Sequence, residues 1–178
     1  MRGDFIHFVS SRMTLSVKCE DILKNNSHLY AHKSRRKKIA LVRIEVTNPQ
    51  SSDVQIVFGK TTLTAAGKTY AAESPAAILR KLSEFTWDFF LYPLLEFSPI
   101  TAVFEICVAL TGPLYNRRLR RQLALLTDAD MTLRPGESKS AIVAFRGVAK
   151  ELERLTIVFR CGDSDETCQW DFSSDSTR

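Results

Sequence analysis

Apolar and polar positions change period twice along this chain. From Met13 to Ala72, and again from Thr132 to Phe172, they alternate with the period of two that marks half-buried β-strands. Ser74 to Asp130 instead repeats its apolar residues at three- and four-residue spacing, as helices do. The two alternating flanks need each other to complete a sheet. The pattern therefore predicts a mainly β chain, α+β overall, in which residues 1–178 form a single domain with an α-helical insertion at about 74–130.

Met13, Leu15, Val17 and Cys19 predict a first strand, followed by a polar loop over Asp21 to Ser34. Ile39 to Thr47 is the clearest strand, with Val42, Ile44 and Val46 on one face and Arg43 and Glu45 on the other. Asn48-Pro49-Gln50-Ser51-Ser52-Asp53 predicts a turn, because proline presets its backbone and short polar side chains bond to nearby amides. Val54, Ile56 and Phe58 resume the alternation. Thr61 to Thr64 and Thr69 to Ala71 then flank a hairpin turn in which Gly67 takes positive φ. Beyond the insertion, Arg134-Pro135-Gly136-Glu137 turns into a strand over Ser138 to Phe145. Leu155, Ile157 and Phe159 form the next, and Cys168, Trp170 and Phe172 the last. The sum is about seven or eight short strands, the number an immunoglobulin-like β-sandwich needs, without the Cys-Trp-Cys spacing of antibody domains.

Within the insertion, Ser74 can cap a helix that has Pro75 at its first position, with Ile78, Leu82, Phe85 and Phe89 along one side. Pro93 ends or kinks it. Ser98-Pro99 repeats the start signal, Val103, Ile106 and Leu110 carry a second apolar face, and Gly112-Pro113 is expected to stop it. A third helix is predicted over Leu114 to Leu126, with Tyr115, Leu119, Leu123 and Leu126 inward and its arginines outward.

Several of these segments resemble a known family. Val42-Arg43-Ile44-Glu45-Val46-Thr47-Asn48 resembles the strand and Thr-Asn opening of uncharacterised immunoglobulin-like domains in bacterial envelope lipoproteins. Leu63-Thr64-Ala65-Ala66-Gly67-Lys68-Thr69-Tyr70 resembles their next hairpin. Leu133-Arg134-Pro135-Gly136-Glu137-Ser138, followed by Ile142-Val143-Ala144-Phe145, is similar to their Pro-Gly turn and apolar strand. The similarity covers about residues 38–160, and some members carry an apolar helical insertion at the same place. It implies a non-enzymatic sandwich domain of the periplasm or cell envelope; a cytoplasmic location is the alternative. The chain departs from the pattern in having no lipobox cysteine near Met1, and Phe5-Ile6-His7-Phe8-Val9 is too short for the core of a signal peptide.

Charge sharpens the picture. Lys and Arg exceed Asp and Glu by 25 to 20, giving +5 and a pI near 9.1. The excess is concentrated in two runs, Lys33, Arg35, Arg36, Lys37, Lys38 and Arg117, Arg118, Arg120, Arg121, while Asp163, Asp165, Glu166, Asp171 and Asp175 make the C-terminal stretch acidic. Such runs are most often solvated surfaces, and they are also candidate contacts for an anionic membrane or nucleic acid. Against nucleic acid, no recognition helix or interleaved aromatic platform accompanies them.

The insertion itself holds no Lys or Arg between Leu82 and Asn116. Phe85, Trp87, Phe89, Phe90, Phe97 and Phe104 make it a candidate surface for a protein partner or a second copy; the other readings are internal packing and membrane contact. Burying an aromatic or leucine side chain is worth about 1.5–3 kcal/mol, which favours internal packing. Glu84, Asp88, Glu96 and Glu105 interrupt every apolar stretch, which argues against a transmembrane span.

No catalytic constellation is legible, and no cofactor or small-molecule substrate is predicted. His7, His28 and His32 are the histidines, and no glutamate stands between His28 and His32 as a zinc protease motif requires. Gly59-Lys60-Thr61 ends like a phosphate-binding loop, but Val54 stands where its upstream glycine belongs. Asp163, Asp165 and Glu166 lack the flanking helices and further ligands of a calcium loop. Cys161 and Cys168 flank a polar turn and are a candidate cross-strand disulfide, which would imply an oxidising compartment; two reduced thiols are the alternative. Their spacing fits no zinc knuckle, so no metal site is predicted.

Overall fold

The structure, a computed structural model, describes residues 6–10, 13–24, 30–83, 112–148 and 151–172. Its strands are β1 (Ile6–Val9), β2 (Thr14–Asp21), β3 (Ile39–Thr47), β4 (Val54–Ile56), β5 (Thr62–Ala65), β6 (Lys68–Glu73), β7 (Met131–Leu133), β8 (Ser138–Arg146), β9 (Arg154–Cys161) and β10 (Ser164–Asp171). Helices α1 (Ala31–Arg36) and α2 (Pro75–Leu82) lie between them, and residues 112–122 are also helical. The molecule is mainly β, as the alternation predicts, with ten strands among the described residues rather than seven or eight. The additional ones are β1, four residues at the N-terminal edge, and the three-residue β7, both too short to show a period.

All the named strands pair antiparallel. The chain flanks on either side of the insertion pair directly: β3 lies against β8 over their full length, from Ile39 opposite Arg146 to Thr47 opposite Ser138. One ladder runs β1-β2-β3-β8-β6, and a second joins β5, β9, β4, β7 and β10. Strand β6 belongs to both, because Lys68–Ala71 pair with β5 and Ala72–Glu73 cross to β8. The path ends at β1 and β7, so the sheet is open. At the β5–β6 turn Ala66 and Gly67 both take positive φ, as a two-residue hairpin requires.

The inward faces of both ladders meet in one apolar cluster. Leu15, Val17, Val42, Ile44, Val143 and Phe145 come from the first, and Ile56, Leu63, Leu155, Ile157, Phe159 and Trp170 from the second. A second cluster lies on the opposite face of β3 and β8. There Leu41, Ile142 and Ala144 are covered by Tyr30 and Ala31, by Ile78 and Leu82 of α2, and by Leu119, Leu123 and Leu126. This is why β3 is buried on both faces at its N-terminal end and alternates only from Arg43 onwards.

Helix α2 starts as expected, with the Ser74 hydroxyl accepting from the Ala77 amide at 3.4 Å and Pro75 in the first turn. Two expectations are corrected. Asp21 to Ser34 is not all loop: Ile22 and Leu23 are buried, and α1 begins at Ala31. The third helix, expected over Leu114 to Leu126, takes in Gly112 and Pro113 and ends at Gln122, while the helix those two residues were expected to stop lies outside the described residues. Leu126 instead bridges to Ile142, with the Ile142 amide donating to the Leu125 carbonyl at 2.8 Å.

Candidate functional site

The two basic runs, far apart in sequence, come together on the helix-covered side of the β3–β8 ladder. Packing of α1, α2 and residues 112–122 into the second apolar cluster turns their remaining sides outward. None of these helices contains Asp or Glu. They carry Lys33, Arg35 and Arg36; Arg80 and Lys81; and Arg117, Arg118, Arg120 and Arg121. Lys37 and Lys38 follow in the turn after α1, and Arg146 closes β8.

Specific contacts tie these elements together. The Lys33 ammonium donates to the Ser83 carbonyl at 2.9 Å and lies 5.4 Å from the centre of the Tyr115 ring, linking α1 to the end of α2 and to the 112–122 helix. Arg35 donates to the Leu23 carbonyl. Leu79, Arg80 and Ser83 share a groove with Asn116, Leu119 and Arg120. Arg117, Arg120 and Arg121 line an adjoining open concavity with Pro113, Asn116 and Ala124.

Most cations of these helices stand outside the protein's ion pairs. Among the described residues the ion pairs join Lys18 to Glu45, Arg43 to Glu20, Lys60 and Arg160 to Asp165, Lys139 to Glu137 and Arg154 to Asp171. None involves Arg36, Lys37, Lys38, Arg80, Lys81 or any of the four arginines of residues 112–122. Lys81 feels both burial and its cationic neighbours. Burial pushes its ammonium down from the ordinary lysine value, Arg146, Arg80 and Lys37 add to that, and Glu73 opposes it. Its Nζ is shielded from solvent and has no hydrogen-bond partner among the described residues. A bound anion would relieve this crowding of like charge.

The other candidates fare differently. Cys161 and Cys168 are free, and the disulfide expectation is corrected by the register: Cys161 stands opposite Ser164, whereas Cys168 stands opposite Ile157. Four residues of strand, roughly 13 Å, separate the two levels, about twice the Cα separation that a disulfide tolerates. Gly162 and Asp163 alone make the turn. Asp165 is occupied by Arg160, whose Nε lies 2.7 Å away, and by Lys60. Among the described residues no group of three or more His, Cys, Asp or Glu stands close enough to hold a metal. His7 is an exposed residue of β1 whose Nδ1 lies 3.1 Å from the Ser16 hydroxyl. Phe85, Trp87, Phe89, Phe90, Phe97 and Phe104, with Cys107 and His28, lie outside the described residues.

The sequence alone did not reveal Asn48 as a structural hub. It is buried and holds two turns together: its amide group donates to the Ser52 carbonyl at 2.8 Å and the Leu133 carbonyl at 3.2 Å, and its side-chain oxygen accepts from the Gln50 amide at 3.1 Å. Two of the segments that carry the family resemblance therefore touch each other here.

Among the described residues no helix is long and apolar enough to cross a membrane. Comparison with family models, with curated proteins and with solved structures yields no match.

Proposed function

We propose that the protein is a non-enzymatic binding domain that docks on an anionic partner through the helix-covered face of its β3–β8 ladder. The observation that carries this reading is the segregation of charge. Cations from α1, the turn after it, α2 and residues 112–122 lie together without a carboxylate on any of those helices, while Lys18, Arg43, Lys60, Lys139, Arg154 and Arg160 are each paired with a carboxylate. Assembling like charges is unfavourable in the free protein and becomes favourable when an opposite surface neutralises them.

The scaffold in this proposal is an immunoglobulin-like sandwich. The shared apolar cluster between the two ladders supports it, as does β6 passing from one ladder to the other as a corner strand does. The resemblance to bacterial envelope domains adds the proposal that the protein works in the periplasm or cell envelope.

Retention on immobilised heparin, a sequence-independent polyanion, tests the binding reading. The combined variant Arg117→Gln, Arg120→Gln, Arg121→Gln should elute at markedly lower salt than the wild type, because fewer counterions are released on binding. Lys60→Gln, in the turn between β4 and β5, should elute with the wild type. Equal elution of all three proteins would end the proposal.

A further inference from the structure

We infer that the outward side of residues 112–122 is a docking face for an anionic phospholipid bilayer; this rests on the anionic-partner reading above and names its partner. The large apolar side chains exposed among the described residues are Val9, Leu114 and Leu125. Leu114 lies on the 112–122 helix and Leu125 in the turn that follows it. Leu114 is 65% exposed, so it takes no part in the cluster that Leu119 and Leu123 enter from the same segment.

Helical spacing places Leu114 beside Arg117 and Arg118, three and four residues on, and beside Arg121 two turns away. The buried Leu119 lies on the other side of the helix. An apolar side chain ringed by arginines is the pattern of an interfacial helix: the leucine enters the boundary of the acyl region while the guanidinium groups stay at the level of the phosphates. A helix that only had to hold phosphodiesters would gain nothing from that leucine. It would instead need side chains that reach base edges or an exposed aromatic platform for stacking. Tyr115, the aromatic residue of this helix, is half-buried against the second apolar cluster with Lys33 over its ring.

The experiment is flotation of the full chain with phosphatidylglycerol–phosphatidylcholine vesicles and with pure phosphatidylcholine vesicles, alongside anisotropy titration of a labelled DNA duplex in the same buffer. The wild type should float with the anionic vesicles and stay behind with the neutral ones. Leu114→Ser should lower the vesicle partition coefficient roughly three- to tenfold, and leave the thermal unfolding midpoint and heparin retention unchanged. Arg117→Gln with Arg121→Gln should lower both vesicle and heparin binding, by about fivefold per cation removed at low salt. Unchanged partition of Leu114→Ser, or tight duplex binding with no flotation, overturns the lipid inference and leaves the anionic-partner reading standing. Absence of binding to vesicles, duplex and heparin alike ends both.

Discussion

The backbone amide of Gly136 donates to the carbonyl of Asn48 at 2.7 Å, and this bond joins the turn after β3 to the turn before β8. The Asn48 amide returns a bond to Glu137 at 2.9 Å, and the hydroxyls of Thr47 and Ser138 lie 2.7 Å apart at the end of the same ladder. Gly136 can take this place because its φ is +72°, a conformation that costs a side-chain-bearing residue roughly 1–2 kcal/mol.

Asn48→Ala strips this junction of its side-chain partners. The carbonyls of Ser52 and Leu133 lose a donor and the Gln50 amide loses an acceptor, at a site where Asn48 itself is fully buried. Leaving such groups unpaired should cost about 2–4 kcal/mol in urea unfolding. Asn48→Asp keeps the acceptor for Gln50 but sets a carboxylate against two carbonyls, so at neutral pH it should be at least as destabilising. A loss below about 0.5 kcal/mol for the alanine variant would show that Asn48 does not hold the turns together.

The period of two located β2, β3, β5 and β9 because each buries a face in the shared cluster, and a one-residue slip would expose all of it; β8 was located by the turn before it. The second cluster could not be read the same way. Ile39 and Leu41 share their face with Arg43 and Glu45, and they are buried only because helices distant in sequence lie over them. Helix α1 was hidden for a related reason: it is six residues long, rich in cations and has no side-chain cap, so its stability comes from tertiary contacts such as Arg35 to the Leu23 carbonyl. Both basic runs were visible, but their convergence depends on that packing.

Lys38, in the turn after α1, has a positive φ of 56°, where its Cβ crowds the backbone, and its carbonyl accepts from the Gly147 amide at 2.8 Å. Glycine takes this conformation without the steric penalty but loses more chain entropy on folding. The steric term is the larger at a left-handed position, so Lys38→Gly should raise stability by about 0.5–1 kcal/mol. Thermal and urea unfolding measure this directly; a destabilised variant would mean that the lysine side chain contributes more than the backbone strain costs.

Asp165 sets an acid limit on the β9–β10 hairpin. Hydrogen bonds from Arg160 and then Lys60 lower its carboxyl from an ordinary 3.8 to about 2. A folded-state value below the unfolded one means that the stabilisation is complete above the ordinary value and is lost as pH falls through about 2. The melting difference between wild type and Asp165→Asn should therefore be constant above about pH 5, shrink as pH falls toward about 2, and vanish only toward about pH 1. Glu137 is also shifted down, by the Arg134 amide and then Lys139, and it titrates in both proteins without affecting the comparison. A difference that persists unchanged to the lowest pH would show that Asp165 is not held by its two cations.

The cysteines give the last test, because the register assigns them different reactivities. Burial pushes the Cys168 thiol up to about 11 and lifts Cys19 well above its ordinary value, with Cys168 nearby adding to the second shift. Both are nearly inaccessible, at 2% and 5% exposure. Alkylation proceeds through the thiolate, so both should resist iodoacetamide at pH 8 until the protein unfolds. Cys161 is half-buried at the end of β9, with the Ser52 hydroxyl 3.9 Å from its sulfur, and should be modified in the native state. Peptide mass spectrometry after pulse labelling resolves the three sites. Were Cys161 bonded to Cys168 instead, dithiothreitol would lower the unfolding free energy by about 2–5 kcal/mol, and Cys161→Ser would do the same. With the register found here, Cys161→Ser should change stability by no more than about 0.5 kcal/mol, and reductant should leave the Cys161–Cys168 hairpin unaffected.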